Sequence, residues 1–423
     1  MLDAKTRQII KDTVPVLQEK GTEITKRFYQ LMFKRHPELL NIFNHANQRH
    51  GKQQRALADA VYAAAANIDQ LDQILPAIKR IGHKHRALGI RPDQYPIVGE
   101  HLLMAIEDTL GEAATEEIIA AWQKAYEVIA QVFIDVEQKM YEDAAKQPGG
   151  WEGFRKFVVV KKVKESEVIT SFYLQPEDGE AIASFLPGQY LTLKCRIPGE
   201  QYTHLRHYSL SDSPGKDYYR ISVKREDGCG DKPEGIVSTY LHRHVQEGDL
   251  LEVSAPAGDF VLDLDSRLPV VLISGGVGLT PMISMLNSLV DSSVDRDVYF
   301  IHAAINGNHH ALNEHVAATA KQNDNVHYFV CYEKPTAEDR RQKRYDKEGF
   351  IDSDWLQSIL PTQKAQVYLC GPLPFMKAVY DALKTCAVDQ ESIRYELFGP
   401  ADTLEREPAS HRGDFRTTPH HIV

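Results

Sequence analysis

The chain has 423 residues, 43% hydrophobic and 26% charged, the balance of an ordinary globular protein long enough for two or three cores. A formal net charge of −10 argues against a nucleic-acid binder, because phosphate recognition needs a basic surface. No apolar run reaches bilayer length, and the N-terminal M-L-D-A-K-T-R-Q-I-I-K-D-T has acids but no leader-like apolar core. Five scattered cysteines with no C-x-x-C pair fit a reducing compartment and disfavour a cysteine-bound zinc or iron–sulfur centre. The expectation is a cytoplasmic monomer without a membrane span.

In chain order, residues up to about Ala145 are rich in Ala, Leu, Glu, Gln and Lys, with apolar residues three and four apart, which predicts helix throughout. Lys146 to Trp151, K-Q-P-G-G-W, is a linker by composition. Alternating runs follow (F-V-V-V-K-K-V, V-I-T-S-F-Y-L, Y-Y-R-I-S-V-K), separated by Pro-Gly and Gly-Asp turns, and predict an antiparallel sheet or barrel to about Leu262. From Leu268 the rhythm becomes βαβ, with buried strands at V-V-L-I-S-G, D-V-Y-F-I-H and Q-V-Y-L-C-G. The expected fold is thus multidomain: all-α at 1–146, an antiparallel β-barrel at 151–264, and an α/β domain with a parallel sheet at 267–402. The polar, aperiodic stretch 403–423 is expected to be a mobile tail, its His420–His421 pair solvated.

Within the helical part, I-G-H-K-H-R-A-L-G-I holds two histidines that cannot share a face. On a helical wheel Ile74, Ile78, Ile81 and Leu88 fall within roughly 60° of His85, whereas His83 lies about 160° away with Lys79 and Arg86 on the side expected to be wet. A lone inward histidine is more often a satisfied core residue than a ligand. An all-helical domain with such a histidine and no cysteine is nevertheless what a haem pocket requires.

Further residues bear on that choice: Tyr29 in F-Y-Q-L-M-F, Phe43 in N-I-F-N, and Gln53 and Leu57 in G-K-Q-Q-R-A-L. With His85 they make the first domain resemble the globin domain of the flavohaemoglobins, and the resemblance continues to Pro400. It implies haem b with His85 as iron ligand, Phe43 and Leu57 packed at the haem, and Tyr29 and Gln53 as distal donors to a partly negative oxygen ligand. It also implies that Tyr95, in P-D-Q-Y-P-I-V, and Glu137, in F-I-D-V-E-Q-K, flank the histidine. A carboxylate bonded to the free imidazole N–H increases electron donation to iron. From sequence alone Glu137 reads as a surface carboxylate, with Asp135 a rival.

L-R-H-Y-S-L, with Arg206, His207, Tyr208 and Ser209, resembles the R-x-Y-S motif of the ferredoxin–NADP⁺ reductase family. That likeness implies FAD: Arg on the pyrophosphate, Tyr on the isoalloxazine, Ser near the nitrogen that accepts hydride. Tyr190 in P-G-Q-Y precedes it. Gly235, Val237 and Ser238 in G-I-V-S-T follow, and read either as a phosphate-holding helix start or as a plain serine N-cap. S-G-G-V-G-L-T-P, with Gly276, Val277, Gly278, Thr280 and Pro281, resembles a dinucleotide loop, with proline where the usual fingerprint has a third glycine. Cys370, Gly371 and Pro372 end the last full βα strand at the edge where such folds bind ligands. By family resemblance Cys370 lies near nicotinamide, Glu396 by the hydride path, and Phe398 over the flavin. The loop A-A-I-N-G-N-H-H has no Arg or Lys for a 2′-phosphate, so NAD(P)H is expected as donor with NADH favoured.

The resemblance implies a nitric oxide dioxygenase. Electrons pass from NAD(P)H through FAD to haem, and the small-molecule partners NO and O2 combine to nitrate. One alternative is a haem-based gas sensor or carrier whose reductase only keeps iron ferrous. Another is a reductase serving an outside acceptor, with the helical domain a docking module.

Overall fold

The computed structural model describes residues 2–43, 51–230, 233–293 and 295–399. The expected tail at 403–423, with its histidine pair, lies outside the described residues. The first body is helical, with α1 (Ala4–Asp12), α2 (Val14–Arg35), α3 (Lys52–Ala66), α4 (Leu75–Leu88), α5 (Tyr95–Leu110) and α6 (Glu116–Lys146). Local chemistry sets the ends. The Asp3 and Thr115 side chains cap α1 and α6 by accepting from Thr6 and Ile118 N–H, and Glu116 and Glu117 complement the start of α6. Pro76 stands in the first turn of α4, and Gly89, at φ 78°, closes it in the left-handed region. Ile10, Ile24, Phe28, Met32, Leu102, Ile106 and Trp122 fill the core.

The second body has β1 (Phe154–Lys164), β2 (Ile169–Pro176), β3 (Tyr190–Cys195), β4 (His204–Ser209), β5 (Tyr219–Lys224) and β6 (Leu250–Ser254). They form one antiparallel sheet in the order β4-β3-β6-β1-β2-β5. A bridge between Leu210 and Ile221, with Ser211 N–H donating to the Arg220 carbonyl at 2.8 Å, joins the two edges and closes the barrel. Helix α7 (Ile236–Arg243) packs Val237 and Leu241 into the barrel core. Lys162 Nζ caps its far end through the carbonyls of His242 (2.9 Å) and Val245 (2.7 Å).

The third body runs β7 (Val270–Gly275), α8 (Leu279–Asp291), β8 (Val298–Ala304), α9 (Asn313–Gln322), β9 (Val326–Tyr332), α10 (Ala337–Gln342) and β10 (Lys347–Glu348). It ends with α11 (Ser353–Ile359), β11 (Gln366–Cys370), α12 (Leu373–Thr385) and β12 (Ile393–Glu396). The parallel order β10-β9-β8-β7-β11-β12 reverses between β7 and β11, the switch point where such sheets take ligands. Among the described residues no helix is long and apolar enough to cross a membrane.

Two junctions hold the bodies together, and they differ in kind. Between barrel and α/β domain the core is continuous: Ile169, Phe260 and Leu262 pack with Leu272, Met282, Leu286 and Leu289. Between helical domain and barrel the contact is largely polar and corrects the reading of α4. Lys79 is exposed, but His83 is half-buried and Arg86 is buried. The barrel loop at 255–260 covers that face, with Arg86 Nη2 donating to the Pro256 carbonyl (2.5 Å) and Gly258 N–H reaching His83 Nδ1 (3.5 Å). Ala87 packs with Tyr190 and Ala257 in the same seam.

Ile169 lies in the shared core at 1% exposure, so Ile169→Ala is expected to cost about 2–5 kcal/mol. In urea the apoprotein should show the barrel and the α/β domain losing stability together. An unchanged midpoint for either body would contradict a shared core.

Candidate functional site

The site is built in three places along the seam. In the helical domain, α4 turns His85 inward, and α6 presents Glu137, which is only 3% exposed. His85 Nδ1–H donates to Glu137 Oε1 at 2.7 Å, and Tyr95 OH donates to the same oxygen at 2.7 Å. The phenol also lies 3.3 Å from Nδ1. The surface carboxylate suggested by sequence alone is thus a buried acceptor of two hydrogen bonds. Burial and then the carboxylate charge push the Tyr95 phenol far above its usual pKa, so it remains a donor. Tyr95 is fixed in turn, because Tyr126 OH donates to its carbonyl at 2.6 Å. That ring crosses α5 where Gly99 has no side chain; a Cβ there would lie 2.5 Å from Tyr126.

With Nδ1 engaged, His85 Nε2 has no hydrogen-bond partner among the described residues, and the side chain is 32% accessible. No group of three or more His, Cys, Asp or Glu among the described residues is placed to hold a metal. A single imidazole, oriented from behind and open at its other nitrogen, suits an iron whose remaining ligands come from a porphyrin.

Tyr29 lies on α2, 6% exposed, with its ring 5.7 Å from Phe43 and 5.6 Å from Phe33. Leu57 packs against this cluster from α3. Gln53, half-buried, lies in the first turn of α3, which Thr25 ties to α2 through the Gln54 carbonyl at 2.8 Å. The structure therefore brings Tyr29, Phe43 and Leu57 into one cluster, with Gln53 on the adjoining helix turn.

The barrel offers a deep cleft beside β3 and β4. Arg206, His207 and Tyr208 keep accessible surface there, yet protein surrounds them closely enough to shift their ionisation. Burial, aided by the charges of Lys84 and Arg206, drives the His207 imidazole down to about 3. It therefore remains neutral, with Nδ1 2.7 Å from Thr192 Oγ1 and its ring 4.7 Å from Tyr190. Tyr190 OH and Thr239 Oγ1 are buried without a hydrogen-bond partner among the described residues. Gly235, with no capping side chain, is the N-cap of α7, and Ser238 Oγ donates to the Gly235 carbonyl and accepts from Glu226 N–H, both at 3.1 Å. Ser209 is 9% exposed at the end of β4. Orphaned hydroxyls, an uncapped helix start and Arg206 beside an aromatic wall suit a flat ring carrying phosphates.

At the switch point of the α/β sheet, Cys370 stands in register between Ser274 on β7 and Glu396 on β12. Gly276 takes φ 54°, and a Cβ on Gly278 would lie 2.3 Å from the Cys370 carbonyl, so glycine there allows the loop to close on the strand. Thr280 Oγ1 donates to the Val277 carbonyl at 3.1 Å, Pro281 is buried in the first turn of α8, and Gly371 and Pro372 lead into α12. The buried Cys370 thiol is pushed well above its usual pKa by burial and then by Glu396, which disfavours a thiolate nucleophile. Burial raises the Glu396 carboxyl to about 7, against the opposing pull of Lys84 and Arg80 and with Asp259 adding to the rise. Phe398, 51% exposed, lies just beyond it near the end of the described chain.

Sequence reasoning passed over Lys84 and placed His83 and Arg86 on the wet face. Lys84 is half-buried and its charge acts on both His207 and Glu396, joining the helical domain electrostatically to both reductase bodies. Arg80, His83, Lys84 and Ala87 recur at helical spacing, a second stripe on α4 that an apolar pattern does not reveal.

Family models match in the same order: Globin at residues 26–133, Oxidoreductase FAD-binding domain at 156–262, and Oxidoreductase NAD-binding domain at 272–381. A flavohemoprotein of Bacillus cereus is 61% identical over 405 residues, 96% of this chain and 100% of the relative. A solved flavohemoglobin of Malassezia yamatoensis, with bound FAD and heme, is 28% identical at a TM-score of 0.81, covering 94% of this chain and 100% of its own. The FAD/NAD binding domain of a Vibrio cholerae nitric oxide dioxygenase is 39% identical at a TM-score of 0.53, covering 58% of this chain and 99% of its own.

Glu396 gives a pH signature. Its folded pKa of about 7 exceeds the unfolded value of 4.5, so the folded state holds the proton more tightly. The stability it contributes is complete below pH 4.5 relative to the ionised state and declines as pH rises toward 7. Apoprotein carrying Glu396→Gln should therefore gain thermal stability over wild type across that window and keep a constant advantage above it. A difference independent of pH would contradict the shifted carboxyl.

Proposed function

The chain belongs to the flavohemoprotein family, and from that membership we propose that it is an NAD(P)H-driven nitric oxide dioxygenase that converts NO and O2 to nitrate. The observation that carries this reading is the His85–Glu137–Tyr95 triangle, set on a helix whose other face abuts the flavin barrel. When bound, haem supplies the centre where NO and O2 combine, and FAD relays electrons to it from the nicotinamide.

The residues divide the work. His85 Nε2 would hold the iron, while Glu137 accepts the hydrogen bond from Nδ1–H and would make the imidazole a stronger electron donor. An oxygen carrier has little use for such donation, whereas oxygen activation depends on it. Tyr29 OH and the Gln53 amide would donate to a small, partly negative ligand entering this pocket, where Phe43 and Leu57 keep the surroundings apolar. Arg206 and the first turn of α7, at Gly235, Val237 and Ser238, hold the flavin pyrophosphate; Tyr208, Tyr190 and Phe398 contact its ring; Ser209 and Glu396 stand beside the hydride path. His207 supports Tyr190 as a neutral ring. The segment from Gly276 to Pro281 takes the dinucleotide phosphates, with Cys370, Gly371 and Pro372 against the nicotinamide. NADH is favoured. The loop after β8 has no Arg or Lys, and the Asp339 carboxylate below it accepts from Gly307 N–H at 3.2 Å, a poor setting for a 2′-phosphate.

Purified, cofactor-replete protein should oxidise NADH steadily when NO is supplied in air and form nitrate in proportion. Absence of that turnover would leave the sensor or carrier reading standing. His85→Ala should lose haem retention and NO-dependent turnover while keeping NADH-dependent reduction of an artificial dye; retained NO turnover would favour a reductase with an outside acceptor. Glu137→Gln should keep haem but lower NO turnover by about 10- to 100-fold, with a weaker iron–histidine stretch in the Raman spectrum.

A further inference from the structure

We propose that Arg86 is a fixed positive charge set into the seam between helical domain and barrel, where it raises the reduction potential of the redox groups beside it. The proposal rests on the reading above, with haem at His85 and flavin in the cleft of Tyr190 and Tyr208. Arg86 follows His85 on α4 and is 7% exposed, a guanidinium taken almost wholly out of water. Among the described residues its only hydrogen bond goes to the Pro256 carbonyl, a neutral acceptor, and no carboxylate pairs with it. The acid of the covering loop, Asp259, lies instead 3.4 Å from Arg80.

The neighbouring groups do not cancel the charge. Burial holds the phenols of Tyr190 and Tyr141, which lie within its electrostatic reach, in the protonated form. A buried cation without a counter-ion opposes folding, and a glutamine or lysine could meet one carbonyl without an arginine fork. The charge does have a use in electron transfer. Each electron arriving on either side of the seam adds one negative charge, and its attraction to a cation in poorly hydrated surroundings is weakly screened. Arg86 touches the barrel at Pro256, in the loop that packs on Tyr190, and its backbone adjoins the proposed iron ligand, so it can act on both sides.

The test is spectroelectrochemical titration of wild-type holoprotein and of Arg86→Met, Arg86→Gln and Arg86→Lys. The haem or flavin midpoint, or both, should be lower in the two neutral variants than in wild type, while the lysine variant stays at the wild-type value. Apoproteins of the neutral variants should melt at or above the wild-type temperature, because the desolvated charge is gone. Unchanged midpoints in the neutral variants would overturn the proposal, as would a lysine variant that falls with them. Failure of both neutral variants to fold would also overturn it, by making the guanidinium a structural strut. Wild-type protein that shows flavin absorbance but takes up no haem would instead sink the proposed function, and this inference with it.

Discussion

Helix α4 must satisfy two partners at once, and most of the chain's organisation follows from that demand. One face offers His85 to Glu137 and Tyr95; another lies under the 255–260 loop of the barrel. Because a helix is rigid over four turns, the imidazole and the barrel contact cannot move independently. The geometry around His85 is therefore referred to the barrel cleft as well as to the helical core. Gly89 and Pro76 fix the length of this helix, and a shift of one residue would rotate both faces by about 100°.

The two junctions divide the molecule mechanically. Barrel and α/β domain share an apolar core, so they behave as one folding unit with a ligand site at the sheet's switch point. The helical domain is held through hydrogen bonds, an exposed ion pair and the small Ala87–Tyr190–Ala257 cluster. Polar seams of this kind resemble transient interfaces, which fix orientation more than they add stability. Such an arrangement suits a path for electrons, because orientation and electrostatics decide what crosses the seam.

Much of this was legible in the chain. Strand alternation and the βαβ rhythm marked three bodies because burial on one or two faces leaves a periodic trace. The inward turn of His85 was visible for the same reason. Its partner was less so: Glu137 is about six helical turns into a long amphipathic helix, and nothing in local sequence separates a buried carboxylate from a solvated one such as Asp135. The choice depended on family resemblance, and the geometry then placed Glu137 2.7 Å from the imidazole. The wet reading of Arg86 and His83 failed for a related reason. A wheel assigns polar residues to water, whereas here a second domain, more than 160 residues away in sequence, covers them. Periodicity registers apolar burial and is blind to polar interfaces.

That blindness bears on where function resides. The residues most easily read, Leu, Ile and Val at regular spacing, build the scaffold. Those proposed to tune chemistry are polar groups that the surrounding protein shifts from their usual state: Glu137 as a buried acceptor, His207 held neutral, Glu396 with a raised carboxyl, and Arg86 buried with no carboxylate partner among the described residues. Each costs folding free energy that an apolar residue of similar size would not. All four stand in or beside the three proposed cofactor sites, whereas the core shared by barrel and α/β domain is built from aliphatic and aromatic side chains. The polarity of these four groups thus marks one route from the switch point of the parallel sheet, through the barrel cleft, to the open nitrogen of His85. A chain selected for stability alone would have no reason to place it there.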